Sequence, residues 1–285
     1  MNYKNNAHCY NFKSINFKDP LLKSIDATYI IHLENNGRLQ NIESQLEKYH
    51  LSKQVYIVFN KGYKKCDKIL KEQSSTFDLK DANLNVLQHS IDHNHKTILV
   101  LEDDFILNEK INTEKQYLDE FLFENKEEAM IYYIGCLPLV NVPIGLKHLR
   151  LYIGLTAHSC IYTEGVKEKL IENVESVDDW DIYLNSNLYL KRYRYYIPLC
   201  YQIFPATENR DNWKNALYFG EYITRIASIL IKLLQSDKTP EPTFTITYIL
   251  SYIITGLILF VVLYVLYRTS RLILSKSIQK KLFLS

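Results

Sequence analysis

The sequence predicts one α/β domain followed by a single membrane-spanning helix. Three observations support this: apolar strands alternate with amphipathic helices over residues 26–93, a wholly apolar strand at residues 97–101 runs into three acidic residues, and residues 244–267 carry no charge. Alternating β and α segments are typical of α/β folds built on a parallel sheet. At 285 residues, the chain is long enough to bury a substantial core.

The predicted elements open with a β-α-β unit. Residues 26–33 form an apolar strand, residues 38–49 place apolar side chains at helical spacing, and residues 55–59 form a second strand. A Pro- and Gly-containing loop is expected at residues 136–150. Further helices or strands are predicted at residues 64–73, 81–93, 113–124, 129–134, 158–162, 164–173, 192–197 and 214–235.

The uncharged stretch at residues 244–267 predicts a helix that crosses a membrane. As a helix it would extend roughly 36 Å, compared with about 30 Å for the hydrocarbon core of a bilayer. The lipid bilayer is therefore an expected partner, and a buried core helix is the alternative. The expected organisation is an N-terminal extension at residues 1–25, the α/β domain at 26–235, a linker at 236–243, the membrane helix at 244–267 and a basic tail at 268–285.

Charge and cysteine content narrow the class of protein further. Lys and Arg total 34 against 32 for Asp and Glu, and the charges are interspersed, so no nucleic-acid partner is expected. The five cysteines are odd in number and contain no C-x-x-C pair, which predicts that the chain lacks a disulfide framework.

Two features of the sequence give conflicting predictions of the membrane orientation. Residues 1–19 lack the apolar segment of a secretory signal, and the chain contains no Asn-x-Ser/Thr acceptor site. These features, with the odd cysteines, favour a single-pass, tail-anchored protein whose α/β domain faces the cytosol. The basic tail predicts the opposite orientation by the positive-inside rule. The missing signal favours the cytosolic orientation more strongly, because a large domain is difficult to move across a membrane without a signal sequence.

The acidic triplet Glu102, Asp103 and Asp104 is the first candidate site. It follows an apolar strand directly, and ligands of open α/β sheets bind beyond the carboxyl ends of the strands. In an extended chain Glu102 and Asp104 point to one side and Asp103 to the other. Glu102 and Asp104 are therefore the candidate ligands of Mn²⁺ or Mg²⁺, which bind carboxylate oxygens. A solvated acidic turn is the alternative.

Several segments resemble glycosyltransferase family 25, which contains bacterial lipooligosaccharide galactosyltransferases and collagen galactosyltransferases. The segment LVLEDDFIL at residues 99–107 is similar to the signature of that family. The resemblance extends in order through YIIHLENNGRLQNIESQL, HSCIYTEGVKEKLIENVESVDDWDIYL and YYIPLCYQIFPATENRDNW. It covers roughly residues 26–213, and the long loop at residues 136–150 is similar to that of homologues from giant DNA viruses. Such an origin would place the protein in the membrane of a virion or viral factory.

The resemblance implies a GT-A-like fold, in which a Rossmann-like half binds the nucleotide. It also implies a metal-dependent, inverting transfer of a hexose from UDP-galactose or UDP-glucose to a hydroxyl of a glycan or protein acceptor. Arg38, Asp103, Asn83 and Gln202 are the expected contacts to the donor. One departure affects these contacts: the family usually has Ser-His at the positions of Ala82 and Asn83.

An inverting transfer needs a base that can accept the proton of the acceptor hydroxyl. The resemblance and the position in the chain indicate Asp178, Asp179 and Asp181 as candidates. Helix capping is the alternative role of each, because Asp is favoured at helix N-termini. The adjacent Trp180 either stacks on a sugar or belongs to the core.

Two other functions remain open from the sequence. One is a tail-anchored binding or scaffold protein that keeps a transferase fold without activity. The other is a metal-dependent phosphodiesterase that uses the same triplet, for which His89, His93 and His95 would be the remaining ligands. These histidines lack the intervening Glu of an H-E-x-x-H zinc site, which favours a solvated helix face.

Overall fold

The computed structural model describes residue 3 and residues 5–173, 179–187, 189–204 and 220–282. A short 3₁₀ helix at Ala7–Cys9 precedes the first strand. The strands are β1 Tyr10–Asn16, β2 Ala27–Leu33, β3 Gln54–Asn60, β4 Ile98–Glu102, β5 Phe105–Leu107, β6 Met130–Pro143, β7 His148–Tyr162, β8 Lys191–Tyr195 and β9 Cys200–Gln202. The helices are α1 Leu39–Lys48, α2 Ser75–Asp92, α3 Ile111–Glu124, α4 Glu164–Glu172, α5 Trp180–Ser186, α6 Gly220–Leu233 and α7 Thr243–Leu282.

Seven strands form one mixed sheet in the order β1-β3-β2-β4-β7-β6-β8. Strands β3, β2 and β4 are parallel, so their carboxyl ends lie at the same edge. Two hydrophobic clusters contain the buried side chains of the strands together with those of the helices packed against them. The predicted α/β class is therefore confirmed, with a central sheet that aligns the ends of three parallel strands.

A second, two-stranded sheet brings a distant segment to that edge. Strand β5 follows the acidic triplet directly and pairs antiparallel with β9, so that Phe105 faces Gln202 in the register. The pairing joins segments almost a hundred residues apart in sequence. It places Gln202 beside the carboxylates that precede β5.

Two local predictions are wrong. Residues 64–73 do not form a helix, because Lys68 is drawn into the interior, where its ammonium group donates to Asp78 at 2.5 Å and to Asn60 at 2.7 Å. Most of the predicted loop at residues 136–150 is instead strand and belongs to a long β6–β7 hairpin, whose pairing continues to Pro143 and Leu149 through several register shifts. Tertiary pairing overrides the Gly and Pro signals there.

Residues 10–25 pack with the domain, in contrast to the predicted N-terminal extension. Strand β1 pairs with β3 over its full length and forms one edge of the sheet. The register brings Tyr10 opposite Asn60, so Cys9 lies next to the turn after β3 and forms a disulfide with Cys66. This corrects the expectation that the chain has no disulfide. Cys136, Cys160 and Cys200 are buried free thiols.

The predicted linker and membrane helix also connect more closely to the domain than expected. Ser236 is fully buried, and its carbonyl accepts from the backbone N–H of Phe204. Helix α7 begins at Thr243, and its stretch Thr243–Arg271 is long and apolar enough to cross a membrane. Along its first three turns, Phe244, Tyr248 and Ser251 are buried against the domain.

Candidate active site

A cavity of about 490 Å³ opens at the edge where the parallel strands end. Its walls come from the turn after β2, the turn after β3, the end of β4, the start of α5 and the segment after β9. Gly62 in the second of these turns has φ +72°, and a Cβ there would lie 2.8 Å from a methyl carbon of Leu33. The positive φ angle therefore favours glycine at this part of the wall.

Asp103 holds the turn after β2 in place. Its Oδ2 accepts from the Leu33 backbone N–H at 3.1 Å and from the Asn36 amide at 2.5 Å, and it lies 3.1 Å from His32 Nδ1. Its Oδ1 accepts from Arg38 at 2.7 Å. These hydrogen bonds outweigh the effect of burial and lower the pKa of Asp103. Asp103 is a fixed anion that shapes the cavity, while its predicted contact with the donor stays a prediction.

The side-chain amide of Gln202 contacts the carboxylates of both Glu102 and Asp104. Gln202 Nε2 donates to the two Asp104 oxygens at 3.1 and 3.3 Å and lies 3.4 Å from Glu102 Oε2. Both carboxylates line the cavity. A half-turn of the Gln202 amide would present its carbonyl oxygen to the same space. The structure therefore brings Gln202, which the family resemblance indicated, next to Glu102 and Asp104, which their position after an apolar strand indicated.

The electrostatics of this pair suit a cation. Burial, and then the neighbouring charges of Asp104 and Asp181, raise the pKa of Glu102 well above its usual range. Burial also raises the pKa of Asp104 to about 6, against the lowering effect of Arg38. A divalent cation between such carboxylates would relieve their mutual repulsion and desolvation.

The ligand chemistry fits Mn²⁺ or Mg²⁺. Glu102 and Asp104 offer only oxygen atoms, which these hard cations prefer. Among the described residues, the single group of three close metal-binding side chains is His8, Cys9 and Cys66, and two of these form the disulfide. The carboxylate pair would thus supply two protein ligands and leave other coordination positions for phosphate and water.

Arg38 lies at this cavity and is partly buried. One nitrogen of its guanidinium group is 2.7 Å from Asp103 and 3.3 Å from Asp104. These acidic neighbours raise the pKa of Arg38 in spite of its burial. These contacts fix the guanidinium group beside the acidic triplet. The remaining donors of the guanidinium group are suited to a phosphate.

Asp179 and Asp181 also line the cavity, from the start of α5. Asp179 is the N-cap of this helix, and its Oδ1 accepts from the Ile182 backbone N–H at 3.0 Å. Asp181 instead accepts from the backbone N–H of Thr156 at 2.9 Å. Burial, with the charge of Asp179, raises the pKa of Asp181 to about 7. Asp178 lies outside the described residues.

Thr156 is a residue that the sequence analysis missed. It has φ +63°, a left-handed conformation that is unusual for a β-branched residue and costs free energy. In this conformation its N–H faces the carboxylate of Asp181, and Thr156 itself lines the cavity. Threonine has no preference for such a conformation, so nothing in the sequence indicated it.

Other candidates lie away from the open cavity or have structural contacts. Asn83 is buried on α2, does not line the cavity and donates to the Leu79 carbonyl of its own helix. Trp180 is 3% exposed and packs in the core, where its indole N–H donates to Tyr162, and it also contributes to the lining of the cavity. The rings of His89 and His93 stack on each other 3.9 Å apart, and no group of metal ligands among the described residues contains them.

Comparisons with known proteins leave the family unassigned. No family model matches the chain, and no curated protein matches it, so membership of family 25 stays a prediction. Similar solved structures include a protein from STIV, with 12% identity, 65% of this chain and 87% of that chain covered, and a TM-score of 0.42. An apo UDP-glucose pyrophosphorylase has 10% identity, 60% and 72% coverage and a TM-score of 0.33. A glycosyltransferase involved in the glycosylation of the major capsid of PBCV-1 has 7% identity, 70% and 99% coverage and a TM-score of 0.39.

Proposed function

We propose that the protein is a metal-dependent glycosyltransferase that transfers a hexose from a UDP-sugar to a hydroxyl group of a glycan or protein. The observation that carries this proposal is the Glu102 and Asp104 pair at the end of a parallel strand, in a cavity that Arg38 and Asp181 also line. Neither a scaffold nor a structural core requires a buried and a partly buried carboxylate, both of raised pKa, to face an open cavity.

The cation would be Mn²⁺ or Mg²⁺, held by Glu102 and Asp104. When bound, it would act as a Lewis acid that neutralises charge on the departing diphosphate. Arg38 lies beside the same carboxylates and would donate hydrogen bonds to phosphate oxygens. Asp103 already has four hydrogen-bond partners at its two oxygens. It would therefore hold the turn that carries Arg38 in position.

Asp181 is the base in this proposal. The acceptor oxygen attacks the anomeric carbon of the sugar, the bond from that carbon to the diphosphate oxygen breaks, and the hydroxyl proton passes to the carboxylate of Asp181. A pKa of about 7 matches this function, because a base works best when its pKa is near the ambient pH. Asp179 is less suited, since one of its oxygens caps α5.

Helix α7 would anchor the domain to a bilayer, and we propose that the domain lies on the non-cytosolic side. The Cys9–Cys66 disulfide is a bond that oxidising compartments maintain. The basic residues after the apolar stretch favour a cytosolic tail. Both observations oppose the cytosolic orientation that we expected from the sequence. That expectation relied in part on unpaired cysteines, and Cys9 and Cys66 are paired.

A panel of UDP-sugars tests the function through release of UDP. We expect slow Mn²⁺-dependent hydrolysis of one donor, faster release when the acceptor is present, and loss of both in EDTA. The Asp104→Asn variant should lose at least 10²-fold in turnover, on the order expected when a charge-stabilising group is removed. Asn83→Ala is a suitable control, because Asn83 does not line the cavity. Full activity in EDTA or in Asp104→Asn would refute the metal-dependent mechanism.

A further inference from the structure

Strand β7 is irregular where it passes the candidate active site. Its pairing with β6 shifts register between Gly135 and Leu137, so that a single residue of β6 lies opposite residues 156–158 of β7. Such bulges bend a strand and redirect its side chains, and they are frequent beside active sites. The bulge contains Thr156, whose N–H faces Asp181 and whose left-handed conformation costs free energy. A contact within the fold must therefore hold Thr156 in this conformation.

His158 lies in the same bulge and contacts the side chain of Thr156. Its Nδ1 is 3.2 Å from Thr156 Oγ1, and its Nε2 is 3.5 Å from the carbonyl oxygen of Cys200. Burial lowers the pKa of His158 to about 4, so the ring is neutral at neutral pH and carries one proton. A carbonyl oxygen only accepts, which assigns this proton to Nε2. Nδ1 is then the acceptor, and the hydroxyl group of Thr156 donates to it.

The imidazole ring of His158 is fixed from several sides. It is fully buried. A Cβ at Gly135 would lie 2.8 Å from its Nε2, so the ring occupies space that only glycine leaves free. The ring of Phe244, at the start of α7, packs on it nearly at a right angle, with the ring centroids 5.9 Å apart. The Nδ1 atom is thus held in one place, from which it orients the hydroxyl of Thr156.

Thr156 in turn orients the carboxylate of Asp181. Its backbone N–H donates to Asp181 Oδ2 at 2.9 Å, and hydrogen bonds from the backbone of Thr156 and Ala157 favour the ionised form of this carboxylate. Only the ionised form accepts a proton. A change of Thr156 to the usual negative φ would alter the path of the backbone and move this N–H group.

We propose that His158 is a positioning residue that holds Thr156 in its left-handed conformation and thereby orients Asp181 for the acceptor hydroxyl. The inference rests on the proposed function, in which Asp181 is the base. His158 is fully buried and does not line the cavity, so it acts through Thr156 and does not touch the substrate.

The test compares the full chain with its His158→Phe variant, which keeps an aromatic ring against Phe244 and removes both polar atoms. We expect turnover to fall on the order of tenfold or more, because the base is displaced, and the KM for the UDP-sugar to stay unchanged. Amide hydrogen exchange should rise at residues 155–158 and stay unchanged in β2. His148→Phe is the matched control, since its imidazole contacts the hydroxyl of Tyr132 at 2.8 Å, away from the cavity. It should leave turnover and the exchange at residues 155–158 unchanged.

Replacement of Thr156 by glycine supplies the second comparison, because glycine adopts a positive φ without the cost that threonine has. In the Thr156→Gly background, the further change His158→Phe should alter turnover by less than about threefold. The same loss in both backgrounds would overturn the proposal. Thr156→Val removes the same hydrogen bond at a partly exposed position, so it should reproduce the loss of turnover even if His158→Phe does not fold.

Hydrogen exchange requires no activity, and it therefore separates this inference from the proposed function. Unchanged exchange at residues 155–158 in both His158→Phe and Thr156→Val would overturn the role of His158, whatever the turnover. If the wild type releases no UDP and exchange still rises in these variants, the proposed function fails, and the contact that holds Thr156 is supported.

Discussion

Asp179 and Asp181 lie two residues apart, yet their hydrogen bonds assign them different roles. The carboxylate of Asp179 caps α5, and that of Asp181 accepts from the backbone N–H of Thr156 in β7. The left-handed conformation of Thr156 directs its N–H toward Asp181, which is an arrangement that a folded chain maintains at a cost in free energy.

Replacing the two aspartates separately distinguishes base from cap. Asp181→Asn should reduce turnover by a factor on the order of 10² to 10⁴, because the acceptor proton loses its base. Asp179→Asn should remain active, since asparagine also caps helices well. In the wild type, turnover should decline as the pH falls below about 7, because protonated Asp181 cannot accept a proton. Pre-steady-state rates of the two variants measure this difference, and equal losses in both would contradict the assignment.

Helix α7 has two parts with different surroundings, a start that packs on the domain and a longer part with exposed apolar side chains. Its first three turns pack on β6, and most of the side chains described beyond Thr255 are exposed and apolar. Arg194 of β8 joins these turns to the sheet: its guanidinium group donates to Asn141 at 2.8 Å and lies over the rings of Tyr248 and Tyr252. The candidate membrane helix is therefore packed directly on the domain through its first turns.

Removing this guanidinium group should loosen the first turns of α7. We expect Arg194→Ala to increase amide hydrogen exchange at residues 244–255 and to leave the exchange of β2 and β4 unchanged, because those strands do not contact Arg194. Arg225→Ala is a control for the loss of an arginine, since Arg225 is exposed on α6. Unchanged exchange at residues 244–255 in Arg194→Ala would show that the docking depends on other contacts.

Local pattern predicted the parallel strands of the sheet, and it failed where contacts between residues distant in sequence determine the structure. The strands β2, β3 and β4 are apolar along their length, as buried parallel strands must be, so the sequence located them well. The segment at residues 64–73 has helical composition, but the buried Lys68 and the disulfide at Cys66 determine its path. No periodicity in the sequence contains that information.

The same division applies to the site. The position of Glu102 and Asp104 at the edge of the sheet was predictable, because Glu102 ends a buried strand and Asp104 lies two residues beyond it. Their function as metal ligands stays a prediction. The approach of Gln202 depends on the pairing of β5 with β9, and the family resemblance, rather than the residue pattern, pointed to it. Asn83 illustrates the opposite error, because a position inferred from the resemblance is turned toward its own helix.

At the scale of the whole molecule, the proposed orientation of the domain relative to the membrane can be tested separately from the enzymatic activity. In sealed microsomes we expect protease to remove only the basic tail and to leave residues 1–267 protected, since the disulfide and the basic residues favour a cytosolic tail. Addition of detergent should make the whole domain accessible to the protease. Digestion of the domain without detergent would reverse the proposed orientation and leave the enzymatic proposal intact.

Binding of Mn²⁺ by the full chain tests the central proposal most directly. The electron paramagnetic resonance signal of free Mn²⁺ decreases when the ion binds protein, so a titration with and without UDP measures the affinity of the cation. We expect tight binding that UDP strengthens in the wild type and in Asp181→Asn, and at least tenfold weaker binding in Asp104→Asn, because one of two carboxylate ligands is lost. Equal affinity in Asp104→Asn, or no effect of UDP in the wild type, would contradict a nucleotide-sugar site built on Glu102 and Asp104.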